Sequence, residues 1–248
     1  MSLFSTAKAV AVFATLGLPA GLVGMPLTLA TKDVAWMYRA GQRIAHLGLR
    51  AAGITFDVQG REHIPTARPC IFMANHVSNL DPPALIPMLP GTPSVMLKKS
   101  LMKIPVLGPA MRMGKFVPVE RDGDRRSAVQ AAKAAAEAIL SGLSLLVFIE
   151  GTRSRTGRLL PFKRGPFHLA QSTGAPILPI AIWGTEQMMQ KGSAAILPGT
   201  AHIRFLPAVS PGDHPDRNDL LQSVRQSILS ALPSHMHPLS NEAASSAS

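Results

Sequence analysis

Seven short apolar runs, at residues 54–58, 70–74, 94–97, 116–119, 145–149, 177–182 and 202–206, are separated by helical patterns and by loops bearing glycine or proline. Runs of this length bounded by turn residues read as strands, and their near-continuous apolarity implies burial on both faces. Between and after them, residues 82–89, 125–140 and 219–232 carry helical spacing, the second closing at Gly142. Alternating strands and helices predict an α/β fold: a mixed, largely parallel central sheet flanked by helices. One such domain over residues 53–238 accommodates the pattern, and the small polar end "NEAASSAS" leaves residues 239–248 as a disordered tail.

What precedes that domain is different in kind. Residues 9–31 contain no charge, and 23 such residues reach about 34 Å as a helix, enough to cross a bilayer core. Gly17, Pro19, Gly21, Gly24 and Pro26 argue against one straight helix. A secretory leader is the rival reading, with Lys8 ahead of the run and "TLA" near its end. The run is longer than an ordinary leader core, which favours a retained anchor. Residues 33–52 then form a helix with Asp33 as its cap. Arg39, Arg43, His46 and Arg50 fall within about 60° of one another on it. Met37, Ala40, Ile44, Leu47 and Ala51 share a broad apolar side, with Trp36 and Tyr38 near the start. That pattern suits a helix lying among lipid headgroups, and a core helix with one wet face is the alternative. Residues 1–52 are therefore read as a helical membrane-associating segment.

Composition narrows the partners. The formal charge is +11 in a chain that is 46% hydrophobic, while aromatics make up only 5%. A basic and apolar protein points to anionic membranes or phosphorylated ligands rather than to nucleic acid, for which stacking platforms are scarce. The single cysteine, Cys70, excludes an intrachain disulfide framework and a cysteine-rich metal site.

Two clusters carry chemistry. In "NHVSNLDP", His76 stands five residues before Asp81, which precedes Pro82 and Pro83 and so can cap a helix. Across a turn between strand and helix the two side chains meet, the carboxylate fixing the imidazole tautomer and leaving Nε2 as a base. Asn75 and Ser78 flank this loop. In "VFIEGTRSRTGRLLPFKRG", an apolar strand ends at Glu150, Gly151, Thr152 and Arg153, and Arg155, Arg158, Lys163 and Arg164 follow. Guanidinium groups beside a glycine suit a phosphate ester. A third basic stretch ends in Arg121, just past the run at 116–119.

His76 and Asp81, Arg121 after "FVPVE", Glu150 to Arg153 in "EGTR", and "APILPIAI" from Ala175 resemble the four ordered blocks of the glycerolipid acyltransferases. They are most similar to those of the bacterial 1-acyl-glycerol-3-phosphate acyltransferases. The resemblance covers about residues 55–210 and departs in two places. Gly114 lies seven residues before Arg121 where the family has glycine six before, so that Lys115 takes the usual place, and Ile149 stands where proline often precedes the glutamate. The resemblance implies acyl transfer from a thioester to the sn-2 hydroxyl of lysophosphatidic acid. His76 would be the general base with Asp81 behind it, and Arg121, Glu150, Gly151, Thr152 and Arg153 would hold the acceptor. It implies no metal and no resident cofactor. The acyl donor would be acyl-CoA or acyl carrier protein, and the place of action the cytoplasmic face of the inner membrane. Another lysolipid acceptor, or a non-catalytic basic membrane-binding module, are the competing readings.

Overall fold

The structure, a computed structural model, describes residues 2–120, 125–189 and 192–239. Helix α1 (Ser2–Val12) runs through a π-helical turn at Phe13–Gly17 into α2 (Leu18–Thr31), and α3 is Ala35–Ala51. Strands β1 (Ile54–Gln59) and β2 (Ile71–Ala74) precede the short helix α4 (Asp81–Leu85). Then come β3 (Ser94–Lys98), α5 (Leu107–Met113), β4 (Val117–Val119), α6 (Arg125–Leu140) and β5 (Leu145–Phe148). The chain closes with α7 (Gly165–Thr173), β6 (Ile177–Trp183), α8 (Thr185–Met188), β7 (Gly199–Phe205) and α9 (Arg217–Ala231).

The strands form one sheet in the order β1-β7-β6-β2-β5-β3-β4. Every neighbouring pair is parallel except β6 and β7. The sheet is thus mixed and largely parallel, as its apolar strands predict. Pleating divides the interior in two. Ile71 and Met73 of β2 face a cluster with Ala135 of α6, Phe167 of α7 and Val224 of α9. Phe72 and Ala74 face the other cluster, with Leu49 of α3 and Leu85 of α4. Alanine-rich α6 is a strong helix former, and it ends as Gly142, at φ 93°, donates to Ile139 O and Leu143 to Ala138 O.

The helix 3–31 is continuous, and two of its glycines, Gly21 and Gly24, are notches rather than breaks. A Cβ on Gly24 would meet the Trp36 ring, and one on Gly21 would collide with Val106. On α3 the expected sides are displaced. Met37, Tyr38 and Leu49 are buried, Tyr38 donating its hydroxyl to Pro93 O at 2.7 Å, whereas Leu47 is 51% exposed. Tyr38 is therefore a core residue and not an interfacial one. Leu49 of α3 and Ala52 after it belong to the sheet's second cluster, as does Ala9 of α1, so the helices ahead of residue 53 pack on the α/β domain. Asp33 still accepts from Ala35 N at 2.8 Å, opening the helix. The tail expected to be disordered lies, Leu239 apart, outside the described residues.

Candidate active site

Strands β2, β5 and β6 run side by side in the same direction, so the segments following them emerge together at their carboxyl ends, where open α/β sheets present ligand sites. After β2, Asn75 is clamped onto β6: its side-chain oxygen accepts from Ile182 N and its NH2 donates to Ile182 O, both at 2.8 Å. That clamp sets where His76 stands. The His76 ring stacks on Phe148 with centroids 4.2 Å apart, and the residue is only 6% exposed.

Four donors converge on Asp81. Oδ2 accepts from His76 Nδ1 at 2.7 Å, Val77 N at 2.7 Å and Ser78 N at 2.8 Å, and Oδ1 accepts from the Thr185 hydroxyl at 2.5 Å. An acceptor facing it in this way keeps the imidazole proton on Nδ1. Nε2 has no hydrogen-bond partner among the described residues and is the free lone pair of the pair. Asp81 is not a helix cap as its sequence position suggested. Pro82 and Pro83 follow it and bring no N–H, so the carboxylate turns back onto the loop before it instead.

Glu150 follows β5 and is 2% exposed. Its Oε1 accepts from His76 N at 2.7 Å and its Oε2 from Leu160 N at 2.9 Å. Burial is the largest influence on its carboxyl and raises its pKa to about 8, against the pull of these two N–H groups. Read from sequence as an acceptor-binding group, Glu150 spends both oxygens on backbone and fixes the His76 loop. Gly151, at φ 71°, makes the turn that follows, and a Cβ there would press on the Lys163 side chain. Thr152 is exposed and Arg153 half-buried, while Ser154 N donates to His76 O at 2.9 Å and ties this loop to the first. Arg158 is drawn away, donating to His237 O at 2.7 Å. Arg121 lies outside the described residues.

Both departures from the family blocks have a local account. Lys115 adopts φ 56°, the left-handed conformation that glycine takes most easily, at the place where the family's block has glycine. Ile149 N donates to Ala74 O at 3.1 Å, a bond that proline would forfeit.

Two contributors escaped the sequence reading. Thr185, fully buried on α8, was hidden because nothing local to it signals Asp81. Gly184 before it holds φ 87°, and a Cβ there would collide with Thr200 O. Arg225 of α9, 8% exposed, donates to Leu160 O at 3.0 Å and lies over the Phe162 ring. Through Leu160 it supports Glu150 from behind. Among the described residues no group of three His, Cys, Asp or Glu could hold a metal ion.

Residues 55–183 match the family model described as Acyltransferase, and this span holds His76, Asp81 and Glu150. A chloroplastic 1-acyl-sn-glycerol-3-phosphate acyltransferase of Brassica napus is 42% identical over 142 residues, which are 57% of this chain and 41% of that protein. A 1-acyl-sn-glycerol-3-phosphate acyltransferase of Limnanthes douglasii is 34% identical over 203 residues, 80% of this chain and 71% of that one. In three dimensions the chain is similar to the crystal structure of the 1-acyl-sn-glycerophosphate acyltransferase PlsC from Thermotoga maritima. The TM-score is 0.82 at 27% identity, covering 93% of this chain and 94% of that one. A histidine and aspartate joined across the strand-to-helix turn, on a fold and sequence shared with these proteins, place the chain in the acyltransferase family.

Proposed function

We propose that the protein transfers a fatty acyl group from a thioester to the sn-2 hydroxyl of 1-acyl-glycerol-3-phosphate, forming phosphatidic acid. The observation that carries this is the His76–Asp81 pair with Nε2 unengaged, set against a loop of basic residues in a family whose relatives bear that activity in their names. His76 Nε2 accepts the hydroxyl proton while the alkoxide oxygen attacks the thioester carbonyl. Collapse of the tetrahedral intermediate breaks the carbon–sulfur bond, and the imidazolium returns the proton to the leaving thiolate. Asp81 steadies the imidazolium, and a base so placed contributes about 10²–10⁴-fold. Thr152, Arg153 and Arg121 supply the polar side of the acceptor site, with Gly151 shaping the turn and Glu150 holding it. The donor is acyl-CoA or acyl carrier protein.

The acceptor and product are lipids, and the N-terminal helix accounts for how they are reached. Leu22, Val23 and Leu29 of α2 are 64, 62 and 72% exposed, an apolar surface suited to acyl chains. Thr6 Oγ1 accepts from Ile196 N at 2.8 Å near one end, and Gly21 receives Val106 farther along. A helix held to the domain at points about 22 Å apart lies side-on in one leaflet rather than crossing both. Cytoplasmically made thioesters put that leaflet on the cytoplasmic face of the cell membrane.

The test is incorporation of radiolabelled acyl-CoA into lysophosphatidic acid by the wild-type protein and by His76→Ala. Label in phosphatidic acid that disappears in the variant supports the mechanism. Label only in a different lysolipid moves the acceptor, and undiminished activity of the variant removes the base.

A further inference from the structure

The connection from β3 through α5 carries apolar side chains that the fold does not cover. Leu101, Ile104 and Leu107 are 39, 40 and 46% exposed. Lys98, Lys99 and Lys103 alternate with them, also exposed, and Lys99 pairs with Glu120 at 2.7 Å. The segment is firmly built. Gly108 N donates to Ile104 O at 2.8 Å, Arg112 Nη1 donates to Met102 O at 2.9 Å, and Gly108 packs so closely on Met102 O that a Cβ would collide with it. The three apolar side chains are thus presented by a rigid base and do not fold back on the core.

Val106 shows what the presentation is aligned with. Its φ of 64° is one that a β-branched residue adopts only when its surroundings hold it there. The side chain fits the notch at Gly21 of α2, next to the exposed Leu22 and Val23. The apolar surface of α2 and the ledge of Leu101, Ile104 and Leu107 are therefore joined at one contact. Interleaved lysines and aliphatic tips are what an anionic lipid surface recognises, the tips entering the acyl region and the ammonium groups staying with the phosphates.

We propose that residues 98–112 form a second membrane contact, inserting Leu101, Ile104 and Leu107 into the leaflet that receives α2, with Lys98 and Lys103 at its anionic headgroups. Only one short strand, β4, separates this contact from Arg121 in the chain. The contact does not depend on which lysolipid is acylated.

The full chain offers a clean labelling route. Its one cysteine, Cys70, is 1% exposed and burial pushes its thiol up to about 11, so a new surface cysteine takes the label. Leu101→Cys and Ile104→Cys, each carrying an environment-sensitive fluorophore, would be reconstituted in phosphatidylcholine–phosphatidylglycerol vesicles. Val129→Cys, at a position 61% exposed on α6, is the control. At 101 and 104 we expect emission shifted to the blue, quenching by nitroxide-bearing lipid, and iodide quenching weaker than at 129 by about fivefold or more. Iodide quenching equal at all three sites, in protein shown by flotation to be vesicle-bound, would overturn the contact. So would probes that acyl carrier protein shields and vesicles do not, since that face would then dock a protein. None of these readouts requires turnover, so an inactive preparation cannot mimic failure.

Discussion

Replacing Asp81 by asparagine separates charge from shape at the site. If the amide oxygen takes the Oδ2 position, it keeps the bonds from His76 Nδ1, Val77 N and Ser78 N, and its NH2 faces the Thr185 hydroxyl, which rotates to accept. The cost to folding should then be about 1 kcal/mol. What disappears is the charge opposite an imidazolium. With N and O 2.7 Å apart the charge centres lie about 4 Å from each other, and at an effective dielectric of about 20 the lost attraction is about 4 kcal/mol. The remaining amide dipole recovers part of that, so kcat should fall by about 10²–10³-fold. Asp81→Ala, in contrast, strands two backbone N–H groups and a hydroxyl, at about 1–3 kcal/mol each, and should lose the fold as well. Initial rates at saturating acceptor give kcat, and thermal unfolding in the same detergent verifies that the asparagine variant is folded. A folded Asp81→Asn variant with kcat within about threefold of wild type would refute a mechanism in which His76 becomes charged in the rate-limiting step.

Thr185→Val removes one of the four donors to Asp81 and should lower kcat by about three- to tenfold with KM unmoved, while Thr185→Ser restores it; a shift in KM alone would contradict a positioning role. Gly184→Ala forces a side chain onto φ 87° and into Thr200 O, and should destabilise by about 1–3 kcal/mol, seen as a lower Tm. Burial gives Glu150 a pKa of about 8 against the ordinary 4.5, so the folded protein holds the extra proton between those values. Its contribution to stability is full below the lower value and is lost as pH rises through the upper one. Tm of the wild type should therefore decline from about pH 4.5 to about pH 8, and Glu150→Gln should flatten that decline; parallel slopes would show that Glu150 is not the titrating group.

The sheet was legible because β2, β5 and β6 are buried on both faces and read as unbroken apolar runs, needing no knowledge of their partners. β7 was placed too late, at 202–206. Its first residues, Gly199 and Thr200, are strand only because they pair with Ile54 and Thr55, and its antiparallel match to β6 is likewise tertiary. Helices α5 and α7 passed unnoticed for a different reason: Pro109 and Pro166 lie inside or at the start of short helices next to basic runs, and local pattern there reads as loop. The charge run after Glu150 misled in the same way, since Arg158 serves a main-chain carbonyl at the far end of the chain.

Two buried carboxyl groups share this site, and their surroundings divide the work between them. Asp81 collects two side-chain donors and two N–H groups, and it is the one that touches the imidazole. Glu150 collects only the N–H groups of His76 and Leu160, lies deep, and is pushed further towards its neutral form by the charge of Asp81, with Arg225 pulling the other way. Environments that drive two carboxyls apart assign them different roles. In the proposed mechanism Asp81 answers the proton that His76 takes up, whereas Glu150 joins the loop after β5 to the loop after β2. The histidine–aspartate motif thus exposes its chemistry in six residues of sequence. The glutamate's task is invisible there, because the groups it binds are peptide N–H groups common to every residue but proline.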